Sequence, residues 1–410
     1  MTLTSSKSQF CTTQVKADEK YKMKPLLYLP LVAASTHHLF VGTFSEPRLY
    51  GLTFTTSPPS LTLSANLSAA APHTWISLSH NKRALYGSGI NSTTWHSYTI
   101  HNATSLSLSA SVPVVGDASC GLLTGQHNVA SPFPPHVVYA TAPHCGNILA
   151  TDSATGEFTR IIQNLTYTTD MASFYPGPYS PGGEKGISAE LMHGLALSPN
   201  GKFLYGADAR NSLWTWSVSN RTGEITLLDV LPGPVPGSNP RHVAIHPKGG
   251  RHLYTVLEGA NALAQYALNE TSGIPLREWT SYPLLPEKRG LNISAYWPDE
   301  VSLTESGRYL WATNRARVSG TKGYISAFSV SESGKIEKQL FLKETTTSGG
   351  GSNIVTPLPG KVGEEFVALT DTEKGFVQIW RLTDEKNDAV VVAEQAIPAG
   401  RCCANVVWYD

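Results

Sequence analysis

The sequence predicts an all-β protein, a seven-bladed β-propeller with four antiparallel strands in each blade. A strand–turn–strand motif recurs along the chain, two further apolar strands follow most copies, and the copies are mostly about 45 to 60 residues apart, which is the spacing of propeller blades. The composition agrees with this fold class. Only 15% of the 410 residues are charged, against about 25% in average globular chains.

The motif consists of an apolar strand, a tight turn and a second strand with an aromatic residue near its middle. Strong copies span residues 74–89, 193–208, 241–258 and 299–315, and weaker copies span residues 127–142 and 352–371. Two apolar runs joined by a short turn pair as an antiparallel hairpin. Each copy therefore supplies the first two strands of a blade, and segments such as LWTWSV and EITLLDVL supply the third and fourth.

The seventh repeat is divided between the two ends of the chain. HHLFVGTF begins at His37, and NVVWYD ends at Asp410. A blade cannot bury both of its faces alone, so blades stack around an axis. We therefore predict one propeller over residues 36–410, in which the C-terminal strand closes the ring beside the N-terminal strand. No linker supports the alternative of two separate β-domains.

Residues 1–35 are predicted to be a leader. Lys24, a short apolar run from Leu26 to Ala34 and small residues at its end have the layout of a secretory signal peptide. The polar residues 1–22 in front of it are atypical, and Met23 is an alternative start. A buried first strand behind a polar tail is the other interpretation. No apolar run reaches the roughly 18 residues of a membrane-spanning helix.

Sequons and cysteines also favour an exported protein. Seven Asn-X-Ser/Thr sequons predict surface glycosylation at Asn66, Asn91, Asn102, Asn164, Asn220, Asn269 and Asn292. If Cys11 leaves with the leader, Cys120, Cys145, Cys402 and Cys403 remain, an even number that suits an oxidising compartment and leaves their pairing open. We expect a secreted or cell-wall glycoprotein with an extracellular partner; a cytoplasmic protein with reduced cysteines is the alternative.

The repeat brings charged side chains to one face of the propeller. Because the first two strands of a blade are antiparallel, the start of the first and the end of the second lie at the same face. First strands begin with Thr74, His193, Arg241 and Asp299, and second strands end with Glu258 and Arg315. We predict that His193, Arg241, Glu258 and Arg315 line a pocket at the channel mouth. A structural Arg241–Glu258 ion pair is the alternative.

The sequence argues against several other functional classes. Its 31 basic and 31 acidic residues balance, and no basic stripe indicates a nucleic-acid partner. The histidines are scattered, no Cys or Ser lies in a nucleophile elbow, and no Gly-rich turn precedes a helix. We therefore expect no metal and no cofactor.

Several segments carry a family resemblance. MHGLALSPNGKFLYGAD, NPRHVAIHP, LYTVLEGAN, GYISAFSVSESGKIEKQLFL and TSGGGSNIV resemble the fungal carboxy-cis,cis-muconate cyclases and, more widely, the seven-bladed propeller lactonases. The resemblance extends over nearly the whole chain after residue 36. It implies a cycloisomerase that works without metal, in which one carboxylate of a linear tricarboxylic diene adds to a double bond and the adjacent carbon takes a proton.

The resemblance also assigns roles to the four charged residues. It places His193, Arg241, Glu258 and Arg315 on the family's proposed site positions. Arg241 and Arg315 would hold substrate carboxylates with their planar guanidinium forks, and His193 with Glu258 would move the proton. Two guanidiniums against one carboxylate would leave an excess of positive charge in the pocket.

Some features depart from the resemblance. The family carries a histidine in the SGGxSN segment where this chain has Gly351, residues 116–146 match poorly, and the Pro/Gly-rich stretch 175–190 looks like an insertion that would overhang the mouth as a lid or plug. A leader with sequons does not fit an intracellular catabolic enzyme. Two alternatives therefore stay open: a secreted or cell-wall glycoprotein with a decayed site, and a sugar-lactone hydrolase with Glu258 as its base.

Overall fold

The described residues form a seven-bladed propeller. A computed structural model describes residues 34–89, 92–116, 127–167, 191–360, 365–398 and 402–409. These residues form seven four-stranded antiparallel sheets, so the predicted fold class is confirmed. The predicted leader lies outside the described residues, apart from Ala34 and Ser35, and so does the predicted overhanging loop 175–190. No helix of the described part is long and apolar enough to cross a membrane.

The strands follow one another blade by blade. Blades 1 to 4 contain β1 (Thr36–Val41), β2 (Arg48–Thr56), β3 (Pro59–Ser68); β4 (Trp75–Leu78), β5 (Ala84–Ser88), β6 (Thr94–Asn102), β7 (Ser105–Pro113); β8 (His127–Ala130), β9 (Val137–Thr141), β10 (Cys145–Thr151), β11 (Phe158–Thr166); and β12 (Met192–Leu197), β13 (Phe203–Asp208), β14 (Ser212–Val218), β15 (Ile225–Pro232).

Blades 5 to 7 repeat the pattern, and the last strand returns to blade 1. They contain β16 (Pro240–Ile245), β17 (His252–Leu257), β18 (Ala262–Leu268), β19 (Pro275–Pro283); β20 (Tyr296–Leu303), β21 (Tyr309–Ala316), β22 (Tyr324–Val330), β23 (Ile336–Glu344); and β24 (Val355–Pro357), β25 (Phe366–Asp371), β26 (Phe376–Leu382), β27 (Ala389–Ala396), before β28 (Val406–Trp408). A 3₁₀ turn (Ile293–Ala295) precedes β20.

The ring closes through the two ends of the propeller. β28 pairs antiparallel with β1, with Leu39 opposite Trp408 and Val41 opposite Val406. β28 thereby becomes the innermost strand of blade 1, as predicted. The segment before it holds a disulfide between Cys402 and Cys403, and Cys145 is also disulfide-bonded.

The central aromatic residue of several second strands fastens one blade to the next. Tyr205 and Tyr254 are buried between blades. The Tyr205 hydroxyl donates a hydrogen bond of 2.9 Å to the Gly273 carbonyl in the outer turn of blade 5, and Tyr254 does the same to Gly334 in blade 6. Burying a tyrosine ring contributes a large apolar area, and its hydroxyl needs a partner when buried. In these two strands the ring and its hydroxyl therefore both stabilise the contact between neighbouring blades.

Three inner strands begin with a β-bulge. The pairing of the first strand with the second shifts register between Met192 and Gly194 in β12, between Pro240 and Val243 in β16, and between Pro298 and Val301 in β20. The described parts of β4, β8, β24 and β28 pair without a shift. Bulges re-aim side chains and are common beside active sites. The three bulges contain His193, Arg241 and His242, and Asp299 and Glu300.

Candidate active site at the mouth of the channel

A cavity of about 510 Å³ opens at one end of the central channel. The structure places all four predicted site residues, His193, Arg241, Glu258 and Arg315, in its wall. They come from blades 4, 5 and 6, at first-strand starts and second-strand ends. Thr74 and Asp299, which share the first-strand position in the sequence repeat, line the same cavity.

Two arginines and two acids form one connected ion network. Arg241 donates from Nη1 to Glu258 Oε2 at 2.8 Å and from Nε to Asp299 Oδ1 at 3.1 Å. Arg315 lies between the same acids, with Nε 3.5 Å from Asp299 Oδ1 and Nη2 4.0 Å from Glu258 Oε2. Asp299 Oδ2 accepts the backbone N–H of Asn353 at 2.7 Å. The Arg241–Glu258 ion pair exists, but it is one part of a larger arrangement.

Asp299 changes the charge balance expected from sequence. The expectation of two cations against one anion was wrong, because the buried Asp299 carboxylate adds a second anion. Burial raises the pKa of Asp299, but Arg315 and Arg241 outweigh it and leave that pKa lowered. Burial lowers the pKa of Arg241, but Glu258 and Asp299 outweigh it and leave that pKa raised. Asp299 and Arg241 therefore stay ionised at neutral pH, and the network sets two arginines against two acids.

Arg210 supplies a further cation at the rim of the cavity. Its side chain is exposed and lines the opening just after β13. Among the described residues, no carboxylate pairs with its guanidinium. The described part of the cavity wall thus contains three arginines, Arg210, Arg241 and Arg315, against two acids, which favours an anionic ligand.

Arg315 is almost completely buried, at 1% exposure. Its guanidinium carbon lies 4.2 Å from the centre of the Trp297 ring, a cation–π contact. Nη1 donates to the Gly351 carbonyl, whereas Nε and Nη2 are buried without a hydrogen bond. Burial, then Arg241, lowers the pKa of Arg315 to about 10, so it remains a cation at neutral pH with donors to spare.

Gly351, where the resemblance would place a histidine, borders open space. A Cβ built on Gly351 would have Thr372 Cγ2 at 3.8 Å and Phe44 Cε2 at 3.9 Å as its nearest neighbours. The glycine lines the cavity beside Arg315. The backbone at this position can therefore carry a side chain that projects into the site.

His193 is buried and is held by a second histidine. Its Nδ1 lies 3.0 Å from Nε2 of His242. Burial, and then the Arg241 guanidinium, lowers the pKa of His193 well below its usual 6.5. The ring is therefore neutral at neutral pH, with Nε2 left for the cavity.

Several side chains of the cavity wall were not among the predicted site residues, and they include Trp75, Arg210, His242, Trp297 and Asp299. Asp299 carried a signal, since it shares the motif position of His193 and Arg241. His242 carried a weaker one, as a polar residue directly after Arg241. Blade 3, which the resemblance left unassigned, places His127 behind this wall, with its ring centre 3.9 Å from that of Trp75. No group of three metal-ligating side chains is arranged to hold a metal ion in the described residues.

Comparison with known proteins agrees with this architecture. A family model described as "Lactonase, 7-bladed beta-propeller" matches residues 176–351. The carboxy-cis,cis-muconate cyclase of Neurospora crassa is 31% identical over 396 residues, which cover 91% of this chain and 99% of that relative. The chain belongs to this cyclase's family, the seven-bladed propeller lactonases. Muconate cycloisomerase 1 of Cutaneotrichosporon cutaneum is 27% identical over 376 residues, covering 88% of this chain and 94% of that relative.

Solved structures of other proteins share the fold. A periplasmic gluconolactonase of Pseudomonas aeruginosa superimposes with a TM-score of 0.71 at 17% identity, covering 91% of this chain and 99% of that one. A protein of Lactobacillus plantarum gives a TM-score of 0.68 at 16% identity, with the same coverage of both chains. At this level of identity the likeness is one of fold.

Proposed function

We propose that this propeller lactonase catalyses the intramolecular lactonization of a muconate-type polycarboxylate. One observation carries the proposal: Arg241, Arg315, His193 and Glu258 surround one cavity, in a chain related over nearly its whole length to a carboxy-cis,cis-muconate cyclase. The first two are carboxylate-binding groups, and the last two are acid–base groups.

The arginines bind and activate the substrate in this proposal. Arg241 uses Nε and Nη1 for Asp299 and Glu258, so its other Nη remains for a substrate carboxylate. Arg315 and Arg210 are the groups for the remaining carboxylates. When one carboxylate oxygen attacks the double bond, a C–O bond forms and the π electrons move toward the neighbouring carboxylate. The guanidiniums stabilise the negative charge that develops there.

The proton step completes the reaction. The carbon next to the new C–O bond takes one proton, so a fully ionised substrate consumes one proton for each lactone formed. His193 is the proposed donor, because its Nε2 is the ring nitrogen left for the cavity. Arg241 lowers the pKa of His193. The negative charge of a bound polycarboxylate opposes this effect, so a proton on the pair of His193 and His242 is more favourable than in the free protein. Glu258 is the second acid–base group of the cavity.

The test is an assay of purified protein for loss of the muconate chromophore, with a sugar lactone offered in parallel. We expect loss of absorbance with a carboxymuconate. His193→Ala should lower kcat by about 10²-fold or more and leave the substrate affinity within a few-fold. Hydrolysis of the sugar lactone alone would favour the hydrolase alternative. Polycarboxylate binding without any turnover would favour a binding protein with a decayed site.

A further inference from the structure

A chain of three polar side chains leads from the cavity into the interior. His193 Nδ1 lies 3.0 Å from His242 Nε2, and His242 Nδ1 lies 2.8 Å from Glu300 Oε2. His242 and Glu300 are buried, and Glu300 Oε1 accepts the backbone N–H of Val301 at 3.0 Å. The His242–Glu300 contact has the distance of an ion pair, although its atoms are not aligned for a hydrogen bond.

Glu300 lies where the cavity gives way to the axial channel. It lines a second space of about 400 Å³, together with Trp75, His127 and Asn405. Trp75 lines both spaces. The chain of side chains thus connects the site, through His193, with the inside of the propeller, through Glu300.

The Glu300 carboxylate determines which histidine nitrogens carry protons. An anion 2.8 Å from His242 Nδ1 excludes a bare lone pair there, so Nδ1 carries a proton. If His242 is neutral, its Nε2 accepts a hydrogen bond from His193 Nδ1–H, and His193 Nε2 faces the cavity without a proton. If His242 is a cation, its Nε2–H donates to His193 Nδ1, and His193 Nε2–H faces the cavity as a donor.

The charged neighbours decide which ring holds the positive charge. His193 faces Arg241, His242, His127 and Arg315, and burial and these groups keep its pKa well below 6.5. His242 faces Glu300 at 2.8 Å and interacts with the Asp299 carboxylate. His127 also lies nearby, with its ring centre 5.8 Å from that of His242. A positive charge is therefore far better placed on His242 than on His193.

We propose that Glu300 and His242 form with His193 a proton relay, in which the proton is stored on His242 beside Glu300 and reaches the substrate through His193 Nε2. The catalytic role of the relay rests on the proposed lactonization. The contacts that form the relay do not depend on that proposal. In one turnover, His193 Nε2 gives its proton to the substrate carbon, and His193 Nδ1 takes one from His242 Nε2. A proton from solvent then enters at His193 Nε2, and His193 Nδ1 returns its proton to His242 Nε2, which restores the His242 cation and the His193 Nε2–H donor. His242 and Glu300 are positioning residues, because neither touches the reacting atoms in this scheme.

A pH titration of ¹⁵N-histidine-labelled wild-type protein tests the relay without substrate. On acidification we expect both nitrogens of His242 to become protonated while His193 stays neutral and its proton moves from Nδ1 to Nε2. Long-range ¹H–¹⁵N spectra distinguish these states by the shift of each nitrogen. If His193 becomes the imidazolium while His242 stays neutral, or if the His193 proton keeps its position, the proposal is wrong.

Glu300→Gln gives a second test. The Gln amide N–H can donate to His242 Nδ1. This allows the neutral His242 tautomer that carries its proton on Nε2. We expect His193 at neutral pH to change from Nδ1–H to Nε2–H. We expect kcat to fall by about 10²- to 10⁴-fold, the order seen when the carboxylate behind a catalytic histidine becomes an amide, because no carboxylate then stabilises the His242 cation that resupplies His193, with KM within about threefold. Glu270→Gln, at an exposed position paired with Arg251, is the control and should change neither. An unchanged His193 tautomer in Glu300→Gln contradicts the relay.

The two proposals fail separately. If the protein shows the proton shift but no turnover of any muconate, the relay stands and the lactonization does not. If turnover is present but His193 keeps one tautomer throughout, the lactonization stands and the relay does not. The wild-type titration decides the relay even if Glu300→Gln fails to fold.

Discussion

At the scale of single residues, the site holds two arginines and two acids in mutual contact range. Arg241 lies between Glu258 and Asp299, and Arg315 lies behind it in contact range of the same acids. Buried ion pairs of this kind contribute little net stability, but removing one partner leaves an uncompensated charge. The network therefore holds the guanidiniums in place for a ligand.

Arg241→Ala and Arg315→Ala are expected to weaken polycarboxylate binding by about 30-fold or more. Losing a contact between buried charged groups costs on the order of 2–4 kcal/mol. Calorimetry with citrate-like and muconate-like ligands measures the change. Arg251→Ala is the matched control, because Arg251 is exposed and pairs with Glu270 away from the cavity. Unchanged affinity in both site variants would indicate that Arg241 and Arg315 do not bind the ligand, and that they are solvated or structural side chains at the face of the propeller.

Gly351→His is expected to fold with a stability within about 1 kcal/mol of the parent. The new Cβ meets nothing closer than 3.8 Å, and surface-like substitutions away from special features are usually small. Gly350→Ala is the contrasting variant, because Gly350 has φ of +65° and its Cβ would lie 2.7 Å from the Glu373 backbone nitrogen; it should lose more than about 1 kcal/mol. Urea unfolding measures both, and equal losses would contradict the prediction.

The sequence predicted the charged residues of the cavity better than its uncharged wall. His193, Arg241, Glu258 and Arg315 recur at fixed motif positions, so counting from the turn was enough to bring them together. Trp75 and Trp297 are also in the wall. Aromatic residues are common in every blade core, and nothing in the motif distinguishes a tryptophan that faces the cavity from one that faces a neighbouring sheet.

At the scale of elements, two of the three bulges allow two consecutive side chains of one strand to serve the site. In regular pairing, neighbouring residues point to opposite faces of a sheet. The bulge in β16 frees Arg241 and His242 from that alternation. The bulge in β20 does the same for Asp299 and Glu300. In both strands the bulge coincides with two adjacent polar or charged residues. The strands themselves were predictable from apolar alternation, but the register shift was not.

Gly194 allows the bulged strands of blades 4 and 5 to approach closely. A Cβ at this position would lie 2.7 Å from both the Arg241 carbonyl oxygen and the His242 Cα. Gly194→Ala should therefore separate β12 from β16, lose about 1–3 kcal/mol of stability and weaken the His193–His242 hydrogen bond. Thermal unfolding and the His193 ¹⁵N shifts measure the two effects. Gly351→Ala is the control, and parent-like values for Gly194→Ala would refute the close approach.

At the scale of the whole molecule, several histidines are buried in the neutral form. Burial and His96 lower the pKa of His73 to about 3, and burial keeps the pKa of His127 and His193 well below 6.5. The unfolded chain binds protons at these histidines near pH 6.5, whereas the folded protein does not. Stability is therefore fully present above pH 6.5 and falls as the pH drops below it.

Between pH 7 and pH 5 we expect the Tm to fall by about 5 to 10 °C, since each such histidine contributes up to about 1.4 kcal/mol per pH unit. Asp299 and Glu373, whose pKa values are lowered, add to the loss only below about pH 4.5. His73→Gln should make the slope shallower by removing one of these protons. A Tm that stays constant over this range would contradict the prediction.

Export through the secretory pathway stays a prediction, and the sequons provide its test. Six of the seven, at Asn66, Asn102, Asn164, Asn220, Asn269 and Asn292, are exposed, and Asn91 lies outside the described residues. Asn102, Asn220 and Asn269 stand at turns between third and fourth strands, on the face opposite the cavity, so glycans there leave its mouth open. Endoglycosidase treatment of protein from the native host should increase electrophoretic mobility, whereas an unchanged band would count against export.

The pairing of β28 with β1 has a consequence for synthesis. β1 is made before any other strand of the ring, and its innermost neighbour is made last. At about 5 to 20 residues per second, the ribosome needs about 20 to 70 seconds between the two. During that interval the inner edge of β1 has no partner, and an unpaired edge is prone to aggregate. A chain interrupted just before Val406 lacks the strand that pairs with β1. The ring can therefore close only after the final strand has been translated.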